Sequence, residues 1–399
     1  MPPPILIEQA FAHILRQVRP CAPERVPLGE ALGCVLAEDI QADRDWPPFN
    51  RSMVDGYAVF SSDTRSAPDV LEVIEEVPAG KAATRALSPG QAIRIMTGAP
   101  VPAGADCVIM QERTEVPKPG YVRFLMTMRG GQNVARRGED AAAGEVVIKS
   151  GTRIGAAEIG VLAAVGVASV PVRRAPQLAI LGTGDELVEP EQTPGPTQIR
   201  NSNSHQLLAQ CASHQLRAAY LGIAPDDRAR TLELVEQGLH SEVFVSTGGV
   251  SVGEHDHVGA AFKQLGVQVF FDKVAIKPGK PTTFGMRGET LVFGLPGNPV
   301  AAFVCFHLFM MTAIRQRMGA AEPLPRWISL PVSAPVKSGG DRTTFRPGRL
   351  IVRENKTFIE PLEWHGSGHL AALVGIDGFL VQRPDQELQA DEAVTFYPL

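Results

Sequence analysis

Cysteine is scarce in this 399-residue chain: there are five, Cys21, Cys34, Cys107, Cys211 and Cys305. They are far apart, odd in number and form no CxxC pair, which excludes a zinc cluster or a secreted disulfide framework and leaves reduced thiols as the expectation. An excess of positive charge is also lacking. Lys plus Arg is 38 against 43 for Asp plus Glu, a net charge of -5, so the chain is not a generally basic nucleic-acid binder, although a local anion site remains open. No apolar run nears the ~18 residues of a membrane span. The start, Met1-Pro2-Pro3-Pro4, has no basic segment leading into an apolar core and does not read as a signal peptide. A soluble, cytoplasmic chain is expected. Low-complexity tracts and periodic repeats are absent too. What is abundant is glycine and proline, 39 and 33 residues, which implies many turns and irregular β segments. At roughly 150 residues per domain the length suggests two or three domains, long enough to bury cores without a covalent or metal staple.

The texture changes along the chain. Ile7, Ala10, Phe11, Ile14, Leu15 and Val18 recur at helical spacing, and Pro20 ends that helix. From about 26 to 175, short runs such as Ala92–Ile95, Cys107–Met110, Tyr121–Met126 and Glu145–Ile148 stand between Gly and Pro, which reads as β structure. A helical period returns only at Ala156–Ala164. From Gln177 strands alternate with helices. Strands are expected at 177–181, 218–223, 243–246, 267–271 and 291–295, and helices at about 204–216, 228–239, 258–265 and from Pro299 onward. This alternation predicts a doubly wound parallel α/β domain. After Pro323-Leu324-Pro325, short β runs over 327–399 predict a small barrel or sandwich.

Ligands of an open α/β sheet sit beyond the C-terminal strand ends, and the loops there are unusual. Gly182-Thr183-Gly184-Asp185-Glu186 joins glycines to two acids. Thr247-Gly248-Gly249-Val250-Ser251-Val252-Gly253 has successive glycine N–H groups that suit an anion, without the Lys-Ser/Thr of a Walker loop. Leu295-Pro296-Gly297-Asn298-Pro299 reads as a capped helix start, and capping alone would account for it. Glu254, His255, Asp256 and His257 offer oxygen and imidazole donors, while Lys273, Lys277 and Lys280 offer cations for an oxyanion. The two histidines are more often solvated or structural. Asp226 and Asp227 follow the second strand, and one of them is expected to cap the next helix. No G-x-S-x-G elbow or cysteine in a cationic loop suggests a nucleophile. Together these loops describe a site for a phosphorylated ligand with a divalent cation.

Seven ordered blocks resemble the molybdopterin molybdenumtransferases, the MoeA and gephyrin E-domain family. They are Pro47–Val59 around Asp55-Gly56-Tyr57-Ala58, Ile93–Pro102, Arg137–Asp140, Thr183–Leu187, Gly248–Gly253, Ile276–Pro281 and Leu295–Pro299. Val54 beside a shifted Met53 is a small departure. The resemblance implies an N-terminal helix (1–19), an elongated connecting domain from 20–46 and 141–176, a β-rich insert (47–140), the central α/β molybdopterin-binding domain (177–326) and a C-terminal β-barrel (327–399).

The resemblance also implies a reaction. Adenylylated molybdopterin and molybdate are the substrates, Mg²⁺ assists hydrolysis of the adenylate, and AMP leaves with the molybdenum cofactor. Such a step needs charge neutralisation more than a side-chain nucleophile. It assigns catalytic roles to Asp55, Thr97, Asp140, Glu186, Asp226, Asp256, Lys273 and Lys277, with Asp256 and Asp226 as metal-region acids. Ligand contacts are implied for Gly248, Gly249, Ser251, Gly253, Lys280, Pro296, Gly297 and Asn298, and more loosely for Arg346 and Ser367. It further implies a homodimer with a shared cleft. A molybdopterin adenylyltransferase and apo-molybdoenzymes are the implied partners, with no nucleic acid or membrane. The competing readings are a scaffold of the same fold without turnover, and a molybdopterin adenylyltransferase. The segments 20–176 and 327–399 speak against the latter, which resembles only the α/β domain. Tungstate remains an alternative oxyanion.

Overall fold

The structure, a computed structural model, describes residues 3–67, 69–249 and 257–399. The chain forms two compact units: Met1–Ala37 with Ser150–Gly155 and Pro171–Leu399, and Glu38–Lys149 with Ala156–Val170.

The first unit is built on a six-stranded sheet. Its strands run in the order Ala218–Ala224, Leu178–Thr183, Val243–Thr247, Thr290–Leu295, Thr283–Arg287 and Gln268–Phe271. Leu178–Thr183 and Val243–Thr247 are buried at every position, as strands covered on both faces must be. Successive side chains point to opposite faces, so two cores form. Ile180, Val245 and Phe293 pack with Leu207, Val304 and the N-terminal helix Ile7–Gln17. Leu181, Phe244 and Val292 pack with Leu234, Val235 and Phe262 from the helices Arg228–Gly238 and His257–Gln264.

The sheet corrects one expectation, because it is mixed rather than wholly parallel. The first four strands are parallel, Thr283–Arg287 runs antiparallel to them, and the edge strand Gln268–Phe271, antiparallel to Thr283–Arg287, again runs in the direction of the first four. The reason is local. Only Gly288 and Glu289 separate Thr283–Arg287 from Thr290–Leu295, far short of the dozen residues a parallel crossover needs, so the pair closes as a hairpin.

The helical stretch Pro299–Arg317 is 19 residues long and has a mean hydropathy of 1.3, with 78% of it buried inside the protein. Contrary to the expectation that no apolar run nears membrane length, it is long and apolar enough by composition to span, and its burial is that of a core helix. It is interrupted by a π-helical turn at Phe306–Met310.

The C-terminal segment closes into a barrel. Thr343–Arg353 pairs with Lys356–Pro361 and with Gly378–Gln382, which pairs with Ala393–Pro398, which pairs with Ile328–Pro331. The bridge Val332–Ile359 joins the last strand back to the first hairpin.

The second unit carries another six-stranded sheet, in the order Cys107–Met110, Gly56–Val59, Gln91–Ile95, Asp69–Val77, Tyr121–Phe124 and Thr114–Lys118. Tyr57 and Val59 face one core and Ala58 the other. Gly56 is required here, because a Cβ would fall on the Ile109 carbonyl of the neighbouring strand. All five cysteines are free.

Candidate functional site

Three parallel neighbours end together: Gly182 is in register with Thr247, and Thr247 with Leu295. The loops that follow them therefore meet. Gly248 N donates to Leu295 O at 3.1 Å, and the Cβ direction of Gly297 points at Gly248 Cα, 3.6 Å away. Gly248 and Gly249 have φ of +86° and +61°. A Cβ on either would come within 3 Å of Thr183, so both the backbone conformation and the space demand glycine. Gly184 also needs its freedom, with φ +127° and the Glu186 carboxylate where a Cβ would stand.

Asn203 locks the junction. It lies in the first turn of the helix Ser202–Ser213, and its side chain is buried. Nδ2 donates to Thr247 Oγ1 and to Gly297 O, both at 2.8 Å, and Thr247 Oγ1 donates to Pro296 O at 3.3 Å. One amide thus ties the two glycine-bearing turns to each other.

Asn298 stands at the start of the helix Pro299–Cys305, but its side chain makes no capping hydrogen bond. Capping therefore does not account for it. The N–H of Val300 is instead met by Ser367 O at 3.0 Å, and Gly368 lies against Asn298 Oδ1, so Ser367 is brought beside the helix start. Two turns along, the same stretch reaches the lysine segment, where Cys305 Sγ lies 3.8 Å from Gly279 O. Ile276–Lys277 pairs in parallel with Thr343–Thr344 of the barrel, and Lys277 Nζ donates to Gly339 O at 2.8 Å. Lys273 has a side chain only 14% exposed, with Asp272 4.0 Å away, whereas Lys280 is exposed.

Arg346 lies two residues beyond Thr344 on the same strand, hence on the same face. Among the described residues its Nε is buried without a partner, its guanidinium lies 5.7 Å from the Trp364 ring centroid, and Trp364 Nε1 is likewise buried and unpartnered. Burial lowers the Arg346 pKa from its ordinary value. Two orphaned donors side by side suit an acceptor-rich ligand.

Asp185, Glu186 and Asp226 are exposed acids at the same sheet end, with Asp226 N donating to Asp185 Oδ1 at 2.9 Å. Asp227 is the residue that caps, accepting from Arg230 N at 2.7 Å. Ser251, Gly253, Glu254, His255 and Asp256 lie outside the described residues. Among the described residues no group of three metal-ligating side chains is preformed.

In the second unit, Asp55 and Thr97 meet. Asp55 Oδ1 accepts from Thr97 N at 2.7 Å and from Thr97 Oγ1 at 2.8 Å. The backbone hydrogen bond first, then the hydroxyl, holds this carboxyl below its usual pKa. Asp140 pairs with Arg51 at 3.7 Å, both side chains about half exposed.

Residues 5–166 match the MoeA N-terminal region (domain I and II), 179–316 the probable molybdopterin binding domain, and 329–399 the MoeA C-terminal region (domain IV). The molybdopterin molybdenumtransferase of Bacillus subtilis (strain 168) is 34% identical over 386 residues, covering 95% of this chain and 90% of that protein. The chain belongs to the MoeA family. A relative of the same name in Staphylococcus epidermidis is 32% identical over 383 residues, covering 95% of this chain and 91% of its own. The crystal structure of a MoeA molybdopterin biosynthesis protein from Pyrococcus horikoshii OT3 matches with a TM-score of 0.81 and 30% identity, covering 100% of each chain.

In this MoeA chain, Asn203 and Trp364 carry no signal in the sequence that points to the candidate site, whereas Asp185 lies in a loop that does. Asn203 sits in Arg200-Asn201-Ser202-Asn203, which reads as a helix cap. Asn201 does cap, accepting from Ser204 N at 3.2 Å, and that role masks its neighbour's. Trp364 gives no local signal, since its partner Arg346 is known only once the barrel closes.

Proposed function

We propose that the chain is a molybdopterin molybdenumtransferase that takes adenylylated molybdopterin and molybdate, hydrolyses the adenylate with Mg²⁺, and releases AMP with the molybdenum cofactor. One observation carries the reading in a chain of this family: the Asn203-clamped junction of Gly248 and Gly297. Its backbone suits a phosphate or pterin edge. The rest of the unit supplies an oxyanion's needs. Lys277 Nζ spends one of its three protons on Gly339 O and keeps two donors. Arg346 Nε and Trp364 Nε1 have no protein acceptor among the described residues.

The donors fit Mg²⁺, which is usually held by one or two carboxylates plus substrate phosphates rather than by an all-protein cage. Asp226, with Asp185 hydrogen-bonded to its backbone, would hold it together with Asp256. When bound, Mg²⁺ supplies charge neutralisation at the phosphoanhydride. This chain's own residues position the adenylate against the glycine turns, keep lysine charge at the oxyanion, and hold Asp55 ionised through Thr97. We place the reaction in the cytoplasm, with substrate from a molybdopterin adenylyltransferase and product passing to apo-molybdoenzymes.

The assay is AMP release from adenylylated molybdopterin with Mg²⁺, with and without molybdate. AMP should appear in step with metal on the pterin, and tungstate in place of molybdate reports metal preference. A chain that binds the adenylate without releasing AMP is the scaffold instead.

The carried residues divide between the units: Asp55, Thr97 and Asp140 in one, Glu186, Asp226, Lys273 and Lys277 in the other. A two-fold homodimer in which each insert completes its partner's site accounts for that division. Asp55→Asn and Asp226→Asn proteins should each be nearly inactive. Allowed to exchange subunits, they should recover about half the wild-type activity per heterodimer, since one of two sites is then intact. Exchange without recovery removes the shared cleft.

A further inference from the structure

The first unit holds a cavity of about 660 Å³ that the reaction above does not use. It lies at the far ends of two helices that begin at the glycine junction. Ser202–Ser213 ends at His214, ~18 Å from its start at 1.5 Å per residue. Pro299–Arg317 brings His307, Met311, Ile314, Arg315 and Met318 to the cavity wall, with the helix C-terminus ~28 Å from its start.

Three features distinguish this cavity from an ordinary surface cleft. First, the helix turns π at Phe306–Met310, the segment that carries His307, and single π turns inside helices are found mostly at functional sites. Second, the rings of His307 and His214 stand 5.5 Å apart at 70°, and both line the cavity. A neutral imidazole carries one donor and one acceptor, so a ring on the cavity wall can meet the polar end of a ligand. Third, arginine outnumbers acid on the wall, with Arg153, Arg315 and Arg326 against Glu322. Arg326 is paired with Glu322 at 3.0 Å, but among the described residues Arg153 donates to the neutral acceptors His214 O and Gln215 Oε1. Arg315 has no carboxylate partner among the described residues. Met311, Ile314, Met318 and Leu216 supply apolar wall.

We propose that this cavity is a second ligand site, for a small organic anion whose apolar body lies on the methionine-rich wall and whose charged end meets Arg315 and the two imidazoles. The volume is in the range of small-molecule sites. Carboxylate and phosphate ends share the chemistry, and two probes separate them.

The test is calorimetric titration of the full-length protein with 1-naphthoate and with 1-naphthyl phosphate. One site per chain is expected for at least one probe, and the tighter probe identifies the head group. Arg315→Glu should weaken that binding at least tenfold, and Ala320→Trp, which fills the cavity from its lining, should abolish it. AMP release from adenylylated molybdopterin should be unchanged in both. If Arg315→Glu proves unfolded by thermal melt, Arg315→Gln takes its place, with several-fold weakening expected. Wild-type affinity in a folded Arg315 variant and in Ala320→Trp overturns the proposal, as does the absence of binding by either probe.

Discussion

At the scale of single residues, the site is held by hydrogen bonds that have no substitute. Asn203→Ala leaves Gly297 O and Thr247 Oγ1 without their shared donor. Losing such a buried partner costs about 1–3 kcal/mol. Because the amide positions two turns rather than touching the reacting atoms, AMP release should fall together with the melting temperature. Asn203→Asp, which keeps the shape but loses the donor, should not rescue. Asp55 yields a pH prediction. Its pKa is lowered by Thr97, through the backbone N–H and then the hydroxyl. Thr97→Val removes only the hydroxyl, so the pKa rises part of the way back. The acid limb of the activity profile should move to higher pH if ionised Asp55 is required; an unmoved limb shows that another group sets it. Candidate site residues were legible where motifs were dense, as at Gly248, Lys277 and Asp55, and more loosely at Arg346. Trp364 was illegible, because it lies 18 positions from Arg346 in sequence and meets it only through the barrel.

At the scale of elements, the strands and helices of the α/β segment were readable because their apolar runs are long and bounded by glycine. The one reversed strand was not. Thr283–Arg287 is a short run with Gly285 at its centre, and the turn at Gly288 and Glu289 lacks the Asn-Gly or Asp-Gly signature of a two-residue hairpin. The π turn was equally hidden, since Phe306–Met310 is buried throughout and continues the same apolar pattern. In the second unit, the strand Gly56–Val59 depends on its first residue. Gly56→Ala would drive a methyl into the Ile109 carbonyl, a backbone clash that no rotamer relieves. Overpacking costs of order 1–3 kcal/mol, occasionally more, so hydrogen exchange should rise in Cys107–Met110 and its neighbours. Unaltered protection there would show that the sheet absorbs the methyl by shifting.

At the scale of the whole molecule, the two-unit division was not legible. The pairings that assign Val35–Leu36 to one unit and Ile40–Gln41 to the other reach more than a hundred residues along the chain, to Val172–Arg173 and Val146–Ile148, and leave no local pattern. Acid stability is a property at this scale. Burial, then Arg315 and Arg153, holds His214 down to about 4; burial, then His214 and Arg315, holds His307 down to about 3. Both groups are neutral when folded, and the unfolded chain takes up protons first. Their contribution is therefore present above about pH 6.5 and is lost as pH falls toward 4 and 3. A pKa difference is worth about 1.4 kcal/mol per unit for a fully buried group and less for the partly exposed His214. Melting temperature should drop between pH 7 and 5, and the drop should flatten in His307→Phe. An equally steep decline in that variant would place the acid sensitivity elsewhere.

In the proposed reaction the lysine segment and the barrel's arginine serve the oxyanion, while the glycine junction serves the adenylate. The direct measurement is the molybdate dependence of AMP release in wild type, Lys277→Gln and Arg346→Gln, with adenylate affinity measured on the same proteins. The account predicts that both variants need at least tenfold more molybdate for half-maximal release, with adenylate affinity changed less than about threefold. A lost adenylate affinity with an unchanged molybdate requirement would contradict it, and would assign Lys277 and Arg346 to the nucleotide phosphate instead.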